Sequence, residues 1–458
     1  MSDNVLSRNP TTGDIIATYP LLTEHQLEAA LQQSADAYTL WRDTPLQKRV
    51  NVLRQLGEQL RQRQDELAKM ATLEMGKPIA QSRAEVLKCA NLCDWYAEQG
   101  PAMLADKPTL VENQQAWQAF RPLGVILAVM PWNFPYWQVL RGAVSMLLAG
   151  NTYVLKHAPS VMGCAELLSS LFDATDLPKG GFTLINVDNA GVSTAISDPR
   201  IAAVAVTGSV RAGAAIAAQA GAVLKKTVLE LGGADPFIVL ADADLDAAVA
   251  SAVAGRYQNT GQVCMAAKRF IIEESVAEAF ERRFSAAVQA LKIGDPLEEE
   301  TFIGPMARYD LRDELDRQVQ ETVQQGARLV MGGHKIEGAG NYYAPTILAD
   351  VTPQMTAFRQ EIFGPVAAIT VAKDAQHALE LANDSDFGLS ATVWSGSEAI
   401  ANQLAAQLET GAVFINGNGA SDPRVAIGGV KKSGYGRELS SFGVHEFCNV
   451  QTVWKNRR

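Results

Sequence analysis

Apolar residues recur first at helical spacing along this chain and later in short runs bounded by turns. From Thr23 to about Leu104, Leu27, Ala30, Leu31 and Ala35, then Val50, Leu53, Leu56 and Leu60, return every three or four positions, the period of a helix that buries one face. This stretch predicts a helical layer, preceded by a hairpin over 9–20 whose turn chemistry is Thr12-Gly13-Asp14. Around 115–131 the pattern changes to strand-like runs, and the second of them, 122–131, is nearly all apolar, which predicts burial on both faces. Strands and helices then alternate: a helix at about 136–148 that stops at Gly150-Asn151, strands at 152–156, 182–187 and 201–206, and an alanine-rich helix at 210–220. A second such run follows, with strands at 235–240 and 269–272, a helix from about Leu245 and a long helix through Leu291. The alternation predicts an α/β fold with a doubly wound parallel sheet, its ligand crevice off the carboxyl ends of the strands. The last stretch, 445–454, alternates like an edge strand, which is a liability unless something covers it.

At 458 residues the chain exceeds a single core, so two or three domains are expected. Its formal charge of −10 argues against nucleic acid as a partner, because phosphate binding needs a basic face. Five cysteines make an odd, unpaired set that suits a reducing cytosol, so a cytoplasmic protein is expected. Five scattered histidines with no Cys/His ligand spacing disfavour a metal. The first residues, Met1-Ser-Asp-Asn-Val, carry no export signal, and no apolar run reaches the roughly 20 residues of a membrane span.

Candidate chemistry gathers on Asn259-Thr-Gly-Gln-Val-Cys264, a polar, glycine-containing turn that delivers one cysteine. A lone cysteine is most often a small buried hydrophobe. A thiol on such a turn is also a candidate nucleophile, since a neighbouring base or dipole can raise its thiolate fraction. Company favours the second reading: Glu230 lies in Leu229-Glu-Leu-Gly-Gly233 and Asn133 in Pro131-Trp-Asn-Phe-Pro135, so that nucleophile, base and amide donor all stand on turns that end strands. Gly208-Ser209 opens the alanine-rich helix. It is either a plain tight turn or one whose N–H groups and helix dipole receive phosphate; the G-x-G-x-x-G fingerprint is absent. Trp137 and Arg141, four apart, share a helix face. Alone, Lys156 reads as a strand-end charge, Glu361 as a loop carboxylate and Arg141 as a surface cation.

Together these motifs, with Lys156-His-Ala158, Glu361-Ile-Phe-Gly-Pro365 and Gly428-Gly-Val-Lys-Lys-Ser-Gly-Tyr-Gly-Arg-Glu438, resemble the aldehyde dehydrogenase superfamily along nearly the whole chain. Within it the chain is most similar to bacterial succinate-semialdehyde dehydrogenases. The resemblance implies a Rossmann-type NAD(P)-binding domain (1–113 and 132–231), an α/β catalytic domain (232–430) and a small β bridging or oligomerisation element (114–131 and 431–458). It implies Cys264 as nucleophile, Glu230 as the base that activates water, Asn133 with the Cys264 N–H as oxyanion donors, and Lys156 completing the catalytic set. Glu230 favours a water-consuming dehydrogenase over a relative that exports the thioester to CoA. Cofactor contacts are implied for Trp132, Lys156, Pro159, Gly208, Ser209, Leu231, Glu361 and Phe363. Many NAD-using relatives have a glutamate where Pro159 stands, and relatives with a Lys-His-Ala-Ser pattern have a hydroxyl there that can favour NADP. Proline supplies neither, so NAD is expected with NADP possible. For the substrate, the resemblance implies Arg141 on a distal carboxylate, with Trp137 beside it; the second tunnel arginine of some relatives is Gln258 here, and Ser421 or Arg424 is the expected replacement. A homodimer or dimer of dimers is implied through the C-terminal strand and the hairpin near 114–122. The rival readings are another aldehyde (glutarate semialdehyde, or an uncharged medium-chain or aromatic one), a cofactor-free cysteine hydrolase, and a catalytically idle protein that keeps the fold.

Overall fold

A computed structural model describes residues 4–112 and 114–456. The hairpin pairs Asn4–Arg8 with Ile15–Pro20. The helical layer comprises Glu24–Trp41, Leu46–Gln62, Gln64–Met75 and Ile79–Met103. The first helix starts in a capping box, where Thr23 and Gln26 each satisfy the other's backbone N–H. It sends Leu27 and Leu31 into the core on the other face of the adjoining sheet, whereas the last three helices of the layer pack on Trp137–Ala149, a helix buried along its whole length. That helix stops where the sequence places a stop, at Gly150 with φ 102°, a left-handed cap that glycine takes without strain.

Two sheets frame the molecule. The first runs in the order Gly434–Tyr435, Lys226–Glu230, Ile201–Thr207, Val125–Met130, Thr152–His157, Phe182–Leu184. All its pairings are parallel except that of Gly434–Tyr435. Its side chains alternate between two cores: Ile126 and Ala128 face the helical layer's cluster, Val125 and Leu127 the opposite one. The second sheet has seven strands, in the order Arg328–Met331, Thr346–Ala349, Val366–Ala372, Ala267–Glu273, Asp235–Val239, Ser390–Trp394, Ala412–Ile415. It is parallel apart from Arg328–Met331 and is likewise covered on both faces. A third, antiparallel sheet joins Cys448–Asn456, Gln114–Pro122 and Lys107–Val111. Among the described residues no helix is long and apolar enough to cross a membrane, and no group of His, Cys, Asp or Glu is arranged to hold a metal.

The strand boundaries depart from the expected division at three places. The apolar run assigned with 114–131 to the bridging element splits: Gln114–Pro122 joins the three-stranded sheet, whereas Val125–Met130 is a central strand of the six-stranded sheet. The reason is its continuous hydrophobicity, which only a doubly covered position can bury. Conversely, Lys107–Val111 belongs with the three-stranded sheet, and Gly434–Tyr435 edges the six-stranded one. Positions 1–3, 113 and 457–458 of the expected domains lie outside the described residues.

Candidate active site

Register in the six-stranded sheet sets one rim of the site. Val129 is level with Lys156 on one side and Val206 on the other, and Thr207 is level with Glu230. Lys156, Glu230, the Gly208-Ser209 turn and the loop after Met130 therefore leave the sheet together at its carboxyl edge. Cys264 arrives differently: it follows the helix Leu245–Tyr257 and precedes the strand Ala267–Glu273. The cysteine turn begins a strand instead of ending one, because the second sheet presents the amino ends of its strands here.

That turn is held in an unusual backbone. Asn259, Thr260 and Gly261 all have positive φ, at 52°, 54° and 71°, and a β-branched threonine in this region is strained. The surroundings fix it. Asn259 N–H donates to Gln81 Oε1 at 2.7 Å, and Thr260 Oγ1 donates to Gly304 O and accepts from its N–H at 3.1 Å each. The fully buried Arg256 guanidinium donates to Gly261 O at 2.9 Å and to Gly364 O. A Cβ on Gly261 would overlap Gly364 O, so only glycine lets the two loops touch. Arg256 thereby ties the cysteine turn to the loop of Glu361 and Phe363.

Asn133 meets the same turn. Its Nδ2 donates to Gln262 O at 3.1 Å, while Asn259 Nδ2 donates to Asn133 O at 2.8 Å. Glu230 is buried, with Oε1 lacking any hydrogen-bond partner, and a Cβ on Gly428 would lie 2.9 Å from that oxygen. Burial, partly opposed by Arg141, pushes the Glu230 carboxyl up to about 8. Burial also pushes the Cys264 thiol up, against the pull of Arg141 and Lys268. The thiol is thus not activated at rest as a low-pKa cysteine would be; a base must take its proton. Because the base acts in its deprotonated form, the rate is expected to rise with pH through about 8 and then level. A pH–kcat/KM profile checks this, and Glu230→Gln should remove the inflection.

The expected cofactor residues lie on the loops beside the cysteine turn and along the carboxyl edge of the six-stranded sheet. Glu361 accepts from Gly233 N–H at 3.1 Å and pairs with Lys268 at 3.1 Å. Lys268 also donates to Cys264 O at 2.6 Å. Phe363 and Trp132 meet edge to face, centroids 5.8 Å apart. Pro159 begins a short 3-10 turn after the strand of Lys156. The Gly208 N–H donates to Glu230 O at 3.0 Å, and a Cβ on Gly208 would meet nothing within 4 Å. Ser209 caps the helix Val210–Ala222, its hydroxyl accepting from Ala212 N–H at 3.3 Å, and Leu231 packs against Gly213 of that helix.

The expected substrate residues are distributed unevenly. Arg141 is buried, not on the surface, ion-paired to Glu438 and 3.5 Å from Thr207 Oγ1. Trp137 is buried beneath the ammonium of Lys88, and Ser421 accepts from that ammonium at 2.8 Å. Gln258 is exposed. Arg424 is exposed and held by Asp422 at 2.7 and 2.8 Å. Sequence reasoning passed over Glu85, Lys88, Arg256, Lys268 and Glu438, all charged residues with long-range partners. Their one signal in the sequence is a charge in an otherwise apolar helix or strand, as with Lys268-Arg269 opening 267–273.

Comparison with known proteins agrees with this geometry. The family model described as "Aldehyde dehydrogenase family" matches residues 2–453. A succinate semialdehyde dehydrogenase [NAD(P)+], Sad, of Escherichia coli is 66% identical, the match covering 99% of this chain and 98% of that protein. A probable succinate-semialdehyde dehydrogenase [NADP(+)] of Synechocystis is 46% identical over 97% of this chain and 98% of its own. Among solved structures, succinic semialdehyde dehydrogenase from Streptococcus pyogenes in complex with NADP+ superposes with a TM-score of 0.97 at 36% identity, covering 99% of this chain and 100% of that one. A family match over nearly every residue, joined to the meeting of Cys264, Asn133 and Glu230 in one crevice, identifies the chain as a member of the aldehyde dehydrogenase family.

Proposed function

We propose that this enzyme oxidises succinate semialdehyde to succinate with NAD(P)+, NAD being preferred. The observation that carries the reading is the crevice where the Cys264 turn, the Asn133 amide and the buried Glu230 carboxyl, one oxygen of it unpartnered, converge; the names of the E. coli and Synechocystis relatives support the substrate. The crevice also fits a dinucleotide. Lys156 lies one residue from the end of its strand with no anionic partner among the described residues, and burial alone lowers its pKa. The open space over Gly208 faces a helix N-terminus, which favours phosphate. Lys156 and Glu361 would hold the two riboses, with Trp132, Phe363 and Leu231 packing beside the rings. When bound, the oxidised cofactor accepts the hydride.

The chain's own residues do the remaining work. Glu230, deprotonated, takes the Cys264 thiol proton as sulfur attacks the aldehyde carbon. The oxyanion is held by Asn133 Nδ2 and the Cys264 N–H, and removing one such donor commonly raises the barrier by about 2.7–4 kcal/mol. Asn133→Ala is therefore expected to reduce kcat by about 10²–10³ with little change in KM, checked by steady-state kinetics. After the hydride has left, Cys264 carries a thioester. Once Glu230 has passed the thiol proton to solvent it removes a proton from water, the hydroxide attacks the acyl carbon, and the carbon–sulfur bond breaks, freeing the Cys264 thiolate on the enzyme and releasing the acid.

The test is initial-rate nicotinamide reduction with succinate semialdehyde beside butanal, in NAD and in NADP. A kcat/KM at least tenfold higher for the charged aldehyde supports the assignment, and equal values for the two would sink it while keeping the dehydrogenase. We read 232–430 as the catalytic unit and the six-stranded sheet with its helices as the cofactor unit. A homodimer or dimer of dimers is supported by Cys448–Asn456, an edge strand with Val450 and Trp454 about half exposed. Five free cysteines support a cytoplasmic location.

A further inference from the structure

Arg141 cannot by itself balance a second negative charge, because Glu438 already neutralises it in a buried pair. On the helix Ile79–Met103, which packs against the helix of Arg141, Lys88 is a cation without an acidic partner among the described residues. Its ammonium donates to the neutral hydroxyl of Ser421 at 2.8 Å and lies 4.0 Å above the centroid of Trp137. The acidic residues around it are engaged elsewhere: Asp422 with Arg424, and Glu85 with Lys77.

Its place in the fold links it to the reacting sulfur. Trp137 stands one helical turn before Arg141, whose charge acts on both Cys264 and Glu230. From the other side, a Cβ on Gly419 would lie 3.2 Å from Met265 O, next to Cys264, and Ser421 follows two residues later. The loop that passes beside the cysteine turn thus arrives at Lys88.

We propose that Lys88, with Ser421 beside it, is the group that binds the distal carboxylate of the substrate, supplying the positive charge that Gln258 does not. The inference rests on the reading that a carboxylate-bearing aldehyde is the substrate. Physical chemistry agrees with the geometry: burial foremost, with Arg141 adding to it, brings the Lys88 ammonium down to about 8, the behaviour of a desolvated cation that lacks a counter-charge. An incoming carboxylate supplies that counter-charge and makes a charge-assisted hydrogen bond. Trp137 packs against the methylene chain that joins the two ends of the substrate.

Kinetics on Lys88→Gln and Lys88→Met test the assignment, each with succinate semialdehyde and with butanal. The expected result is a KM for succinate semialdehyde raised at least tenfold, with butanal kinetics within twofold of the parent; Lys88→Arg should recover part of the preference. Unchanged butanal rates also show that the variants fold. A measurement on the parent enzyme needs no variant: acetylation of Lys88, followed by peptide mass spectrometry, should be slowed by succinate and not by butanamide. A preference for the charged aldehyde that survives in both Lys88 variants, or no protection by succinate, overturns the inference alone. No preference in the parent enzyme overturns the substrate reading and this inference with it.

Discussion

Cys264→Ala is expected to lower kcat/KM for aldehyde oxidation by on the order of 10⁴ or more, because no other group in the crevice can form the covalent adduct. The remaining machinery does not substitute for it. Asn133 and the backbone donor can only stabilise an oxyanion that some nucleophile has produced, and Glu230 can activate water against an acyl group only after hydride has left. The other four cysteines are buried, and burial pushes the thiols of Cys89, Cys93, Cys164 and Cys448 well up. They are inert toward an aldehyde. The loss should come with little change in stability, since the thiol of Cys264 makes no hydrogen bond that the fold needs. Stopped-flow measurement with the Ala variant should show neither burst nor steady-state nicotinamide reduction, whereas Glu230→Gln should retain acylation in part and release product slowly. A residual rate above about one per cent in Cys264→Ala would place the nucleophile elsewhere.

The difference between those two variants also marks what was legible in the sequence. Asn133 and Glu230 were legible as turn residues because each sits where an apolar strand gives way to glycine or proline, and Cys264 because a polar, glycine-containing turn stands just before an apolar strand; polar residues at such turns face a crevice. The strand and helix periods likewise gave the alternating sheet, including the stop at Gly150. The direction of the Cys264 turn was not legible: periodicity locates a strand but not which end of a sheet it serves. Nor was the split of 114–131, since two adjacent strands can read as one bridging element until pairing separates them. Arg141 shows the same limit for charge. A helix with every residue buried leaves an arginine only an ion pair, and its partner Glu438 lies 297 positions away (438 − 141). Distances of that kind leave no local pattern.

Lys77 and Glu85 form the pair on which the Asn133 loop depends, and breaking it is expected to cost about 3–5 kcal/mol of stability. Both side chains are inaccessible to water, at 0% and 1% exposure. One carboxylate oxygen of Glu85 accepts the N–H groups of Tyr136 and Trp137 at 2.9 Å each, and the other takes the Lys77 ammonium. That ammonium lies 3.8 Å above the ring of Phe134. The pair therefore grips the chain directly after Asn133, from Phe134 to Trp137, and so anchors the loop that delivers Asn133 to the cysteine turn. Glu85→Gln keeps an acceptor for the two N–H groups but leaves Lys77 charged and buried, so the urea midpoint should fall sharply. Lys77→Met combined with Glu85→Gln removes the orphaned charge and should recover most of the loss, a coupling that a double-mutant cycle measures directly. The pH dependence gives an independent check. Burial already lowers the Lys77 pKa, and Glu85 opposes that fall; without Glu85 the folded-state value drops further below that of the unfolded chain. Between the two values the unfolded state holds one proton more, so the stability of Glu85→Gln should rise with pH up to the ordinary lysine range. A flat profile, or a double variant no more stable than Glu85→Gln, would mean that the carboxylate acts only as a backbone acceptor and that the buried ammonium contributes nothing to holding the loop.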